Sequence, residues 1–163
     1  MSEVKKSLNR AVEAKDLHKA ISVISQNPIL LSDTIAGVPI IHFVCNCDFP
    51  ELIPELTNLG CSVDALDTYG YPPIYFACSE GFVEVVKTLL DQGADVDGLR
   101  KIGVDGYVDE TTPLVRAVRN GHIDTVRLLV SHGASINVRE FGVSLLDLAK
   151  PYPEIEKLLS VNI

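Results

Sequence analysis

The sequence repeats with a period of about 33 residues, and this repeat limits the possible folds more than any other feature. Gly37 and Gly70 are one period apart, as are Gly60 and Gly93. An apolar residue recurs in the same register at Leu8, Ile41, Ile74, Leu114 and Leu146, and only the interval from Ile74 to Leu114 is clearly longer than the others. Periods of this size are typical of proteins in which small units stack side by side.

Each unit is predicted to form two short helices. In the third unit, Pro73 suits the first turn of a helix, because backbone N–H groups there make no hydrogen bond within the helix. Ile74 and Ala77 follow at helical spacing, and Gly81 ends this first helix. Gly93 then ends the second helix as a left-handed terminator. Neither helix can bury its apolar face alone, so neighbouring units must stack.

The units resemble ankyrin repeats. The segments "DTYGYPPIYFACSEGFVEVVKTLLDQGADVD" (67–97) and "TTPLVRAVRNGHIDTVRLLVSHGASIN" (111–137) follow the family pattern most fully, and 37–64 is a more divergent copy. Residues 4–25 resemble an N-terminal capping unit, and residues 141–160 a shortened C-terminal cap. The resemblance implies an all-α solenoid of helix-turn-helix units joined by β-hairpin loops.

The resemblance also predicts a single domain over residues 1–163. Its approximate units are 1–33, 34–66, 67–99, 100–139 with an extended loop at 98–110, and 140–163. Because both terminal units look like caps, we expect a complete, soluble and monomeric solenoid.

The family's Thr-Pro-Leu-His signature is incomplete in every unit. Residues 112–114 keep its first three positions, but Val115 replaces the histidine; His42 keeps the fourth position alone. The second unit also carries Pro54 inside its expected second helix, where a lost hydrogen bond costs about 3 kcal/mol. We therefore predict that the second unit is irregular and the least stable.

Composition argues against several functions. The formal net charge is −8, whereas binding a phosphate backbone needs clustered Lys and Arg, so no nucleic-acid partner is expected. The apolar runs are shorter than the roughly 20 residues that span a bilayer, and Met1 is followed by a polar, charged stretch rather than a signal peptide. The chain is expected to be cytoplasmic, with a nuclear location or delivery into a host cell left open.

We expect the cysteine and histidine residues to have structural roles rather than roles in catalysis or metal binding. Cys45 and Cys78 are one period apart at a small, buried position of the first helix, and Cys61 replaces the alanine of a Gly-Ala pair. Only Cys47 falls outside such a position, which suggests an exposed thiol. The spacing of these cysteines is not that of a zinc site. With no nucleophile elbow or phosphate-binding glycine loop either, we expect no catalysis, metal or cofactor.

The resemblance places a protein partner on the concave surface formed by the loop tips and the first helices. Carried over position by position, the main candidate contacts are Thr68, Tyr69, Tyr71, Ser79, Glu80, Arg100, Lys101, Tyr107, Asp109, Arg119, Asn120 and Phe141. Further candidates on this surface are Ile35, Ala36, Val38, Asn46, Cys47, Val108, Thr111 and Glu140. Aromatic side chains and arginine are the types that dominate interface energies.

The loop at 98–110 breaks the repeat. The interval from Asp97 to Thr112 is nearly twice as long as the matching interval from Asp64 to Pro72. The added residues include Asp105-Gly106, which is a strong two-residue hairpin signal. We expect a projecting hairpin that carries Arg, Lys and Tyr toward a partner. Neutral insertion is the alternative, because loops tolerate added length cheaply.

Two other roles stay open. The chain could be a structural or regulatory subunit of a larger assembly. It could also be the substrate of an asparaginyl hydroxylase, because the resemblance places Asn137 at the loop position that such enzymes modify, with Leu129 upstream at the spacing of favoured sites. The acidic residue that favoured sites carry two positions earlier is replaced by Ser135.

Overall fold

A computed structural model describes residues 2–35, 37–98 and 111–162. Within these ranges the chain forms five consecutive helix pairs. The first helices of the pairs are α1 (Glu3–Glu13), α3 (Ile40–Asn46), α5 (Pro73–Glu80), α7 (Pro113–Arg119) and α9 (Leu145–Ala149). The second helices are α2 (Leu17–Gln26), α4 (Ile53–Asn58), α6 (Val83–Asp91), α8 (Ile123–Ser131) and α10 (Pro153–Asn162).

The helices form two layers. In the first-helix layer, α5 packs against α3 and α7, and α7 packs against α9. In the second-helix layer, α6 packs against α4 and α8, and α8 packs against α10. Buried side chains from both layers form one continuous core that runs from Leu8 to Leu159. The expected all-α solenoid is therefore confirmed.

The helices begin and end where the sequence predicts. Pro73 lies in the first turn of α5, and Gly81 ends that helix with a φ of 74°. The Thr112 hydroxyl accepts a hydrogen bond from the backbone N–H of Val115 at 3.3 Å, which caps α7. Asp16 caps α2 in the same way, through the N–H of Lys19.

The turn inside each of the first four helix pairs contains a residue with a left-handed backbone. Gly81 and Gly121 occupy this position in the third and fourth units, whereas Lys15 and Asp48 adopt the same positive φ without being glycine. Gly121 lies under the ring of Tyr152 from the next unit, with no room for a Cβ atom. The turn glycine thus sets both the backbone conformation and the approach of the next unit.

The second unit is irregular, as predicted. Its second helix is split into a 3-10 turn at Pro50–Leu52 and the short α4. Pro54 consequently lies in the first turn of α4 rather than in a helix interior. At that place its missing N–H removes no helical hydrogen bond.

Two short β-hairpins precede first helices. Strands β1 (Thr34–Ile35) and β2 (Val38–Pro39) pair antiparallel before α3, and β3 (Arg139–Glu140) pairs with β4 (Val143–Ser144) before α9. Another 3-10 turn, Pro28–Leu31, follows α2. In the part of the chain that the structure describes, no helix combines the length and apolarity needed to cross a membrane.

Candidate functional site

The loop before α5 is organised by Asp67. Its carboxylate accepts hydrogen bonds from the backbone N–H groups of Tyr69 and Tyr71, at 2.8 and 2.9 Å. This Asx-type turn projects Tyr69, whose surface is 69% exposed. Thr68 is exposed beside it. Two predicted contact residues therefore lie together at the tip of an ordered loop.

Tyr71 is held more firmly than Tyr69. Its backbone carbonyl accepts a hydrogen bond from Nε2 of His42 at 2.9 Å, and its ring stacks on Tyr75 with centroids 4.2 Å apart. The Tyr71 side chain is half-buried as a result. His42 is itself buried, and this burial lowers its pKa. Tyr71 thus fixes the loop on the first-helix layer and leaves only part of its ring for a partner.

Tyr75 and Arg116 are functional candidates that sequence reasoning missed. The guanidinium of Arg116 lies over the Tyr75 ring, 4.8 Å from its centroid, and Nε of Arg116 donates to the Tyr75 hydroxyl. Burial raises the pKa of Tyr75, so its hydroxyl stays protonated. Their signal in the sequence is positional. Phe43 and Phe76 occupy the register of Arg116 in the second and third units, whereas Arg10 occupies it in the first, so the arginine differs from its two preceding neighbours.

The turns of the third and fourth units are joined by hydrogen bonds. The Asn120 side-chain amide donates to the Ser79 carbonyl oxygen at 2.6 Å, and Nε2 of His122 lies 2.9 Å from the same oxygen. Glu80 is exposed beside this contact. Two predicted contact residues, Ser79 and Asn120, are thus brought together, and both help to fix the neighbouring units against each other.

A buried carboxylate joins the fourth unit to the hairpin β3–β4. Glu140 is only 3% exposed, and it accepts a hydrogen bond from the Thr111 hydroxyl at 2.8 Å. Its other oxygen pairs with Nη1 of Arg119, also at 2.8 Å. Three positions expected to contact a partner are buried instead, which corrects that expectation for Ile35, Thr111 and Glu140.

Phe141 stands at the tip of the hairpin β3–β4. Its side chain is 68% exposed, and its backbone has a φ of 49°. Gly142 follows with a φ of 81°, so both central residues of the turn are left-handed. An exposed aromatic residue in this conformation is uncommon, and such strain concentrates at functional positions. Ion pairing of the preceding Glu140 holds the hairpin in place.

Some predicted contacts lie outside the described residues. The extended hairpin predicted at 98–110 falls there, except for Gly98, together with its candidate contacts Arg100, Lys101, Tyr107 and Asp109. Ala36 and Val108 also fall outside.

The cysteines are buried as expected, with one correction. Cys45, Cys61 and Cys78 are buried, and desolvation raises the pKa of each thiol. Cys47 is half-buried rather than exposed, and desolvation raises its pKa too. Over residues 2–35, 37–98 and 111–162, no group of three His, Cys, Asp or Glu residues is arranged to hold a metal ion.

Comparison with known proteins shows which family has this repeat. A family model described as Ankyrin repeats (3 copies) matches residues 8–98 and 41–140. Together the two matches cover residues 8–140 of the 163 in the chain. Among curated protein sequences, no match was found.

Proposed function

Because the chain belongs to the ankyrin repeat family, whose members are generally protein–protein interaction modules, we propose that it is a non-catalytic binding module for another protein. The proposed binding surface comprises the loop tips and the first-helix layer. Its contact residues are Thr68, Tyr69, Tyr71, Ser79, Glu80, Arg119, Asn120 and Phe141, with Arg100, Lys101, Tyr107 and Asp109 from the extended loop.

The strongest support for this surface is that its aromatic side chains are exposed on loops held by hydrogen bonds. Tyr69 and Phe141 are among the most exposed large hydrophobic side chains in the described residues, at 69% and 68%. Both stand on loops that are fixed by buried or backbone hydrogen bonds, through Asp67 and Glu140. A rigid aromatic ring offers a large contact area at little cost in conformational entropy.

Affinity capture from native lysate tests the proposal. The wild-type chain is compared with the double variant Tyr69→Ala, Phe141→Ala, and the expected result is a protein that only the wild type retains. The matched control is Ile29→Ala. Ile29 is also well exposed, at 71%, but it lies in the 3-10 turn after the second helix α2, outside the proposed binding surface. Retention of the same proteins by the wild type and the double variant would refute the proposed surface.

A deletion tests the contribution of the extended loop. Removing residues 99–105 shortens the loop toward the length found between the second and third units. We expect the thermal midpoint to change little, because loop length contributes weakly to stability, and affinity for the captured partner to fall. Unchanged affinity would make the insertion neutral.

Membership of a larger assembly is the first alternative. In that case the chain would co-purify at fixed stoichiometry with several proteins, and the Tyr69 and Phe141 substitutions would leave that set unchanged. Size-exclusion chromatography of the captured material distinguishes this outcome from a single partner. It also tests the expectation that the isolated chain is a monomer.

Hydroxylation at Asn137 is the second alternative. Asn137 is exposed and lines an open cavity of about 370 Å³ with Arg139 and Leu145. It occupies the register of Asp97, whose carboxylate accepts a hydrogen bond from the backbone of Ser135. Incubation with an asparaginyl hydroxylase should add one oxygen atom to the peptide that contains Asn137. An unchanged peptide mass would exclude this role.

A further inference from the structure

Arg116 occupies a position of the first-helix layer that is apolar in three of the other four units. The residues in its register are Phe43 in the second unit, Phe76 in the third and Leu148 in the fifth, whereas the exposed Arg10 occupies it in the first unit. Phe43 is buried, and Phe76 and Leu148 are half-buried. An arginine at this place gives up packing that an apolar residue would provide. Arg116 therefore places a charge where the second, third and fifth units carry an apolar side chain.

The orientation of the Arg116 guanidinium is fixed by Tyr75. Its Nε donates to the Tyr75 hydroxyl, and its Cζ lies 4.8 Å from the centre of the Tyr75 ring. Tyr75 is only 5% exposed and stacks on Tyr71, so the ring under the guanidinium is itself immobilised. A ligand that binds this guanidinium pays little of the usual entropic cost of ordering an arginine.

Arg116 forms no ion pair with a carboxylate in the described part of the chain. Arg119, one helical turn further on, pairs with Glu140 at 2.8 Å, whereas Arg116 has no such ion pair there. Its Nη1 and Nη2 groups also make no hydrogen bond within those residues. Partial desolvation of a charge without an ionic partner is costly, and the ring and hydroxyl of Tyr75 offset part of this cost. The edge of the guanidinium formed by Nη1 and Nη2 matches the geometry of a carboxylate.

The helix that carries Arg116 is basic, although the net charge of the whole chain is −8. Helix α7 contains two arginines and no acidic residue. Across the first helices as a group, five Lys and Arg residues stand against four Asp and Glu residues. The acidic excess lies in the second helices and loops, where several carboxylates, such as those of Asp67 and Asp97, accept backbone hydrogen bonds.

We propose that Arg116 binds an aspartate or glutamate carboxylate of the partner, so that the first-helix layer recognises an acidic segment with an apolar residue beside the carboxylate. The carboxylate accepts two parallel hydrogen bonds from Nη1 and Nη2, the geometry that a guanidinium favours. The apolar side chain packs on the exposed part of Phe76. This inference rests on the proposed function and specifies the chemistry of its partner.

Selection from random-sequence peptides displayed on phage tests the inference on the full chain. The sequences enriched by the wild type should carry Asp or Glu at one fixed position next to an apolar residue. The best peptide is then synthesised together with a twin in which Asn or Gln replaces the acidic residue. Fluorescence anisotropy should show affinity for the twin reduced by about tenfold or more, as expected for loss of a charge-assisted bidentate contact.

Protein variants assign the effect to Arg116. Arg116→Leu should fold normally, because Leu148 holds the same register in the fifth unit, and should bind the acidic peptide and its twin equally weakly. Arg116→Lys keeps the positive charge but loses the paired N–H donors of the guanidinium. Its affinity for the acidic peptide should lie between those of Arg116→Leu and the wild type. Arg127→Leu, on the second helix α8, is the matched control and should bind as the wild type does.

Three results would overturn the inference. They are enrichment without a fixed acidic position, equal affinity for the two peptides, and full affinity in Arg116→Leu. If binding survives Arg116→Leu but is lost in the Tyr69, Phe141 double variant, the proposed function stands and only the carboxylate site fails. If the wild type enriches no peptide, the inference fails, and the lysate capture decides the proposed function separately.

Discussion

Nε2 of His42 donates a hydrogen bond to the backbone carbonyl of Tyr71, 2.9 Å away, and so ties the second unit to the loop of the third. Because a carbonyl only accepts, the proton of the neutral imidazole is on Nε2. Nδ1 is buried and has no hydrogen-bond partner within the described residues. A second proton would therefore be placed where nothing accepts it.

The first prediction is that acid destabilises the fold through His42. Burial lowers the pKa of His42 below its usual 6.5, so the unfolded chain binds this proton more readily than the folded one. The free energy of unfolding should therefore decrease as pH falls below 6.5. The decrease from this residue should be at most about 1.4 kcal/mol per pH unit. Urea denaturation at several pH values measures it.

The contribution of His42 is isolated by comparing variants. His42→Gln should lose this part of the pH dependence, whereas His132→Gln should keep it, because His132 is exposed. Equal pH dependence in the wild type and His42→Gln would contradict the prediction.

The second prediction is that Thr125→Val stabilises the protein. The Thr125 hydroxyl is fully buried and has no hydrogen-bond partner in the described part of the chain, and Val85 holds the same register in the third unit. Replacing the hydroxyl by a methyl group should raise the free energy of unfolding by about 1 kcal/mol. Thermal denaturation would show the gain as a higher midpoint.

Thr57→Val provides the opposite control. The Thr57 hydroxyl donates to the Pro54 carbonyl oxygen at 2.9 Å, so its loss should lower the midpoint. A fall in stability for both variants would mean that the Thr125 hydroxyl has a partner in solution.

The third prediction concerns the close approach of Tyr152 to Gly121. The φ of Gly121 is 75°, and a Cβ atom added there would overlap the tyrosine ring. Gly121→Ala should therefore destabilise the protein by about 2 kcal/mol. Gly133→Ala has a similar φ of 83° but open space around it. It should cost only about 1 kcal/mol. Chemical denaturation that ranks the two substitutions equally would show that the ring moves aside without cost.

The fourth prediction concerns the buried carboxylate of Glu140. Arg119→Leu leaves Glu140, only 3% exposed, with the Thr111 hydroxyl as the remaining partner in the described residues. We expect a loss of about 2 kcal/mol, because a buried charge is left unpaired. Arg127→Leu, on an exposed position, should change stability by about 0.5 kcal/mol or less. A small effect in both would show that water replaces the arginine.

The fifth prediction concerns the relative stability of units. The second helix of the second unit is divided into a 3-10 turn and the six-residue α4, whereas α8 is nine residues long and continuous. Amide hydrogen exchange should therefore be faster in 50–59 than in 123–131. Slower exchange in 50–59 would contradict the idea that this unit is the least stable.

The helices and their order could be predicted from the sequence because the repeat makes each unit a copy of its neighbours. Pro73, Gly81 and Thr112 mark helix boundaries by mechanisms that act within a few residues. The burial of Cys45 and Cys78 followed from shared register alone. Local rules applied in register were sufficient for these features.

The details of the candidate site depended on contacts between distant residues. Glu140 looked like a loop-tip contact, but its pairing with Arg119 and Thr111 across 21 and 29 residues makes it a buried link. Tyr75 and Arg116, 41 residues apart, were missed for the same reason. Register predicts which positions are equivalent. It does not predict which side chains at non-equivalent positions will meet.

The hydrogen bonds between units have a mechanical consequence. In the described residues they join adjacent units, as in the bonds of His42 to Tyr71, Asn120 to Ser79 and Tyr152 to Arg119. A force applied to the two ends of the chain would therefore load these junctions in series rather than together. Single-molecule stretching should yield a succession of small rupture events, each from the unfolding of one or a few units. When the force is slowly released, the units should refold one after another.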